Sequence, residues 1–199
     1  MPNHCTNELR LVGPKDQLDR FRLDATQAVE PWTPKEDDPE PTLLNFQGAV
    51  PYPVAANRHA SDGWFDWSIN NWGTKWNAYD VTTNVPDQGV SYNFTTAWTP
   101  PESWLRAAAA KYPEIKFMLA YFEGGCDFCG ILILKGEEEL LNHEASPSEH
   151  YGEEGELDDE DSYRRVEDNF WDDASDREKT FGMSFRAAPH DYSKSPHPF

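Results

Sequence analysis

The chain has little cysteine: three in 199 residues. An odd count, at Cys5, Cys126 and Cys129, does not make the disulfide framework of a small secreted domain. Long apolar runs are also missing. Mean hydropathy is −0.80, and no stretch approaches the ~20 apolar residues of a membrane span, so no membrane partner is expected. The opening "MPNHCTNELRLVGP" shows no basic stretch followed by an apolar run, so no signal peptide is expected and the reading is of a cytoplasmic protein. Basic charge is scarce: 17 Lys and Arg face 36 Asp and Glu, for a net charge of −19. A field of that sign disfavours direct nucleic-acid binding. Nucleophile elbow, phosphate loop, HExxH and DxDxxE signatures are absent as well. No catalytic residue is therefore assigned and no cofactor is expected.

What is present is unevenly distributed. Residues 1–136 carry 11 basic and 17 acidic side chains, whereas residues 137–162 carry 12 acids and no Lys or Arg. Such a run repels itself and buries little, which describes a linker or a solvated surface. Its densest part, Glu153, Glu154, Glu156, Asp158, Asp159, Glu160 and Asp161, has a second reading as an acidic surface that imitates nucleic-acid phosphate. Three segments follow: a domain over 1–136, the acidic run over 137–162, and a C-terminal extension over 163–199.

Within the first segment, "NHCTNELRLVG" alternates, with Cys5, Asn7, Leu9 and Leu11 on one face of a half-buried strand. Pro14 and the Leu18/Phe21 spacing predict a short helix. A short strand is expected in "LLNFQGAVPYP". "SDGWFDWSINNWG" reads as a helix with Phe65, Ile69 and Trp72 as its apolar stripe and Gly73 as its stop. Two β-rich stretches follow, joined by the turn signal "VPDQG". Thr99 is a good helix cap, with Glu102 completing a capping box, Trp98 packed beneath the turn, and Trp104, Leu105 and Ala108 buried. "EIKFMLAYFE" and "CGILILKG" close the series as strands. In the extension, Tyr163, Val166 and Phe170 mark a short helix, and "FGMSFRAAPHDY" a possible returning strand. The order is that of an α+β fold with a mostly antiparallel sheet.

In their order, "MPNHCTNELRLVGP", "WFDWSINNWGTKWNAYDV", "FTTAWTPP" and "YFEGGCDFCG" resemble the phage- and plasmid-borne proteins with a YubB-type ferredoxin-like domain. The resemblance covers residues 1 to about 136. It implies a ferredoxin-like sandwich with two to three helices on one face, and a home on mobile genetic elements. It implies no settled activity and no iron–sulfur cluster.

Three stretches invite a functional reading. The tryptophan–asparagine segment either staples the helix to the sheet or, beyond Gly73, exposes Thr74, Lys75, Trp76 and Asn77 in a strand, with Trp72 and Trp98 nearby, as a ligand or partner site. "GCDFCG" offers Cys126 and Cys129, two of the four ligands of a structural zinc, with His4 and Cys5 on the first strand to supply the rest; a redox pair is the other alternative, and a turn with reduced thiols is the simplest reading. The acidic run is a partner surface or a linker. The function expected is that of a non-enzymatic accessory protein that binds and inhibits a host protein, such as a nucleic-acid-handling defence complex. The alternatives are a small-ligand or nucleotide binder using the Trp/Asn/Lys segment, and a nucleic-acid-processing enzyme.

Overall fold

A computed structural model describes residues 3–26, 43–52, 63–86, 89–152 and 160–184, the first three residues of the last segment as backbone only. Six strands form one sheet in the order β2-β3-β1-β4-β5-β6, every neighbouring pair antiparallel. β1 is His4–Val12, β2 Tyr79–Asn84, β3 Gly89–Ala97, β4 Lys116–Glu123, β5 Phe128–Lys135 and β6 Glu138–Ala145. The helices are α1 (Lys15–Thr26), α2 (Gly63–Trp72), α3 (Glu102–Lys111), the short α4 (Pro147–His150) and α5 (Glu160–Thr180).

One face of the sheet carries the first core. Cys5, Leu9 and Leu11 of β1, Tyr92 and Phe94 of β3, Phe117, Leu119 and Tyr121 of β4, and Leu132 and Leu134 of β5 all point into it. They meet Leu18 and Phe21 of α1, Trp72 of α2, and Trp104, Leu105 and Ala108 of α3. The alternation read from β1 is therefore correct, and three helices do share this face. Asn7, fully buried among them, is satisfied by donating to the Cys5 carbonyl at 2.8 Å and to Thr96 Oγ at 2.9 Å, as a buried amide must be.

The opposite face carries a second core. Met118, Ala120 and Phe122 of β4 and Cys129, Ile131 and Ile133 of β5 pack against Val166, Phe170 and Ala174 of α5 and against Met183. The described part of the extension thus lies mainly in a 21-residue helix, Glu160–Thr180, that forms a second layer, longer than the short helix expected. Phe181–Ser184 form a turn and coil with no strand; the rest of the stretch read as a returning strand lies outside the described residues. The reason is visible in β4 and β5. Strands buried on one face alternate, whereas "FMLAYF" and "ILIL" are apolar at every position, which fits burial on both faces.

Three other expectations are corrected. The strand expected in residues 43–53 is replaced by a 3-10 turn, Phe46–Gly48, because Asn45 turns the chain by accepting from the Gln47 amide at 3.0 Å. The acidic run is not wholly a linker: Glu138–Ala145 is the sixth strand, paired to β5. Its consecutive Leu140 and Leu141 both lean on the second core, beside a register shift at Ile133/Leu134. As an edge strand rich in Glu, it resists further pairing. The capping box does not form. The Thr99 hydroxyl donates to the Gly73 carbonyl at 2.7 Å, and Glu102 accepts from the Tyr121 hydroxyl at 2.9 Å. Tyr121 reaches Glu102 by crossing Gly130, where any Cβ would collide with the phenol.

A buried ion pair ties α5 to β1. Arg10 Nε lies 2.6 Å from Glu178, and Arg10 also bonds Glu8 at 2.7 Å. Burial pushes the Glu178 carboxyl up to about 7, Arg10 pulls it down, and the charge of Glu8 pushes it up. A carboxyl whose native pKa exceeds its unfolded value holds its proton more tightly when folded. Its contribution to stability is complete below the unfolded pKa and is lost as pH rises through the folded one. Wild-type protein should therefore lose stability relative to Glu178→Gln between about pH 4.5 and 7, by at most about 3 kcal/mol. Urea unfolding of both at pH 5 and pH 8 measures this; a constant difference between the two proteins would contradict it.

Candidate functional site

The tryptophan–asparagine segment opens with α2 and ends in a loop. Gly73 stops the helix at φ +83°, its amide bonding the Ile69 carbonyl at 3.1 Å. Residues 73–78 form an irregular connection, and β2 begins only at Tyr79. Lys75, Trp76 and Asn77 are thus not strand residues, as the sequence had implied. Asn77 turns inward and fixes the loop, which keeps the alternation from starting there.

Half of the proposed site residues serve the fold. The Trp72 indole is buried and donates to the Val50 carbonyl at 3.0 Å. Thr74 is fully buried and donates to the Ala97 carbonyl at 3.0 Å, tying the loop to the end of β3. The Asn77 carbonyl oxygen accepts from the amides of Phe46 at 2.9 Å and Ala78 at 3.0 Å, while its amide donates to Asn45 at 2.8 Å. Phe46, pinned this way, packs between Trp72 and Trp104 with ring centroids at 5.9 and 4.6 Å. The indole of Trp104 donates to the Phe46 carbonyl at 3.0 Å. Indoles and amides are abundant here because a turn with unpaired backbone groups is buried against aromatic rings, and each group needs a partner.

The other half faces water. Phe65 and Ile69, expected in the core stripe, are 42% and 37% exposed, while Ser68 and Trp72 take the buried positions. The helix is rotated from the expected setting because Trp67 and Trp72 pack edge to face at 5.3 Å and carry the contact instead. Trp76 is 38% exposed. The Lys75 ammonium sits 4.8 Å from the centre of the Trp76 ring and 5.9 Å from that of Phe65, a cation held over two aromatic faces. Trp98, expected beneath the turn, is 43% exposed at φ +73°, and Trp104 fills the interior position. The patch of Phe65, Ile69, Lys75 and Trp76, with Trp98 at the close of β3, is the candidate site. Phe65 and Ile69 escaped the sequence reading because a helical period gives a face but not which way it points.

The three thiols do not converge. Cys5 belongs to the first core and Cys129 to the second, with the sheet between them, and Cys126 is exposed in the turn linking β4 and β5. Burial pushes Cys5 and Cys129 up to about 12, so both are inert thiols. That turn is built by Glu123, buried, whose carboxylate accepts from the Gly125 amide at 3.0 Å and the Cys126 amide at 2.5 Å. Among the described residues no group of three or more His, Cys, Asp and Glu is arranged to hold a metal ion. In the same residues, no helix is long and apolar enough to cross a membrane. Of the acidic surface residues, 153–159 lie outside the described residues, and Glu160 and Asp161 open α5.

The order β1-α1-β2-β3-α3-β4, with α2 inserted before β2 and with β1 and β3 at the centre of β2-β3-β1-β4, defines a ferredoxin-like domain of the α+β class, here widened by β5 and β6. Residues 71–167 match the family model described as "Ferredoxin-like domain in Api92-like protein". Among solved structures, the crystal structure of a protein api92 from Yersinia pseudotuberculosis is similar, with a TM-score of 0.52 over 73% of this chain and 98% of that one. At 8% identity that likeness is one of fold. No curated protein matches the chain.

Two substitutions separate the roles of the segment. Asn77→Ala removes bonds that no solvent can replace inside the turn and should cost about 1–3 kcal/mol. Trp76→Ala removes a half-exposed ring and should change stability by no more than about 0.5 kcal/mol. Thermal and urea unfolding give both values; equal losses would place Trp76 in the structural set.

Proposed function

We propose that this is a non-enzymatic binding protein that engages a partner protein through the patch of Phe65, Ile69, Lys75 and Trp76. The supporting observation is the patch itself: Phe65 and Trp76 kept at the surface around the Lys75 ammonium, with Ile69 exposed one helical turn beyond Phe65, beside tryptophans that the same fold buries readily. Large exposed apolar groups in contact with one another mark interaction surfaces, and aromatic anchors with a basic side chain supply most of the energy of such contacts. The scaffold beneath is fixed by Trp72, Thr74 and Asn77, so little ordering is left to be paid on binding. Lys75 favours a partner that brings a carboxylate to the rim of an apolar surface, since a cation over two rings is available to a third group from the solvent side. A host protein as that partner is a further step, which rests on the sequence resemblance to proteins of mobile elements.

Affinity capture from host lysate, with the wild-type chain and Trp76→Ala side by side, tests the reading. Wild type should retain a partner that the variant loses by at least about tenfold, the size of one hot-spot truncation. Equal capture by the two, or no retained protein at low salt where charged rims bind best, would contradict it.

A further inference from the structure

On the sheet face opposite the patch, between the start of β1, the end of β4 and the first half of α5, lies a groove of about 370 Å³ lined by His4, Thr6, Phe122, Gly124, Tyr163, Arg164 and Glu167. That volume is in the range of small-molecule sites. Its floor is the cross-strand pair Thr6–Phe122 and its wall is Tyr163, Arg164 and Glu167 of α5. Phe122, itself packed on Phe170 with ring centroids 5.7 Å apart, gives the floor a fixed apolar surface. Tyr163, 49% exposed, stands across from it.

The polar groups are set by chemistry outside the groove. The Tyr79 hydroxyl lies 2.7 Å from His4 Nδ1 and 3.4 Å from the Thr96 carbonyl. That engages Nδ1 of the ring and leaves Nε2 for a polar group of a ligand. Glu167 is engaged by the Trp171 indole at 3.3 Å. Arg164 forms no ion pair among the described residues, although the chain carries twice as many acids as bases. An unpaired guanidinium in so acidic a chain is available for an anion from outside.

We propose that this groove binds a small aromatic anion: a ring between Phe122 and Tyr163, a carboxylate or phosphate on Arg164, and a hydroxyl or amine hydrogen-bonded to His4 Nε2. The site is independent of the protein-binding patch, and its success or failure leaves that reading untouched.

Titration of the full chain with adenosine 5′-monophosphate, with 4-hydroxybenzoate and with uncharged adenosine, followed by amide chemical shifts, tests it. At least one of the two anions should give saturable shifts at Thr6 and Gly124 with a dissociation constant below about 1 mM. Adenosine should give none, and which anion binds distinguishes phosphate from carboxylate. Arg164→Gln, at an exposed position that leaves the fold intact, should weaken the binding anion at least about tenfold. Saturation by neither anion, equal binding of adenosine, or unchanged affinity in Arg164→Gln would each overturn the proposal.

Discussion

The burial of β4 and β5 on both faces is the constraint from which the rest of the molecule follows. Leu119 and Leu132 face α1 and α3, while Met118, Ala120, Ile131 and Ile133 face the other way. At roughly 25 cal/mol per Å² of apolar surface removed from water, those outward side chains could not be left bare. Helix α5 is the cover, with Phe170 fully buried at its centre and the Arg10–Glu178 pair near its end. The pair costs desolvation and contributes register more than stability. Because α5 packs mainly on β4 and β5, the start of β1 on that face is left partly open, and the groove beside His4 and Thr6 is the result.

On the first face the problem is different. A turn around Phe46 must be buried, and its backbone groups satisfied, without a strand to pair them. Asn45, Asn77 and two indoles do this. The stretch that supplies Trp72, Thr74 and Asn77 to the interior supplies Lys75 and Trp76 to the surface. Within six residues, Trp72, Thr74 and Asn77 hold the turn while the consecutive Lys75 and Trp76 lie on its outer side. A rigid base beneath exposed rings is what a binding surface needs, because it reduces the entropy lost on association.

Much of this was legible from the residues alone. The face of β1, the stop of α2 at Gly73, the buried side of α3 and the strands β2 and β3, which pair antiparallel, all follow from period and stop chemistry, while the turn residues 87–88 lie outside the described residues. What was not legible has physical causes. Phe65 and Ile69 satisfy a helical period, but a helix with aromatic residues on several sides is oriented by its tertiary contacts, here Trp67 against Trp72. Thr99 and Glu102 have the spacing of a capping box, yet both side chains found tertiary partners in Gly73 and Tyr121. Helix α5 has a long polar face and few apolar residues, so its length was hidden. The signal that called for it lay elsewhere, in the unbroken apolar runs of β4 and β5. The site divides the same way: Lys75 and Trp76 lie toward the surface as the sequence had them, Trp98 does so against its expected place beneath the turn, and Trp72, Thr74 and Asn77 make hydrogen bonds that only the folded turn reveals.

Native-state hydrogen exchange tests most directly whether α5 is an integral layer of one core. If it is, the amides of Val166, Phe170 and Ala174 open only with the whole molecule, with the same free energy and the same urea dependence as those of Met118 and Ile131. Exchange of the helix at a free energy well below that of the two strands, and insensitive to urea, would show that it detaches while the sheet stays folded, and would contradict the account.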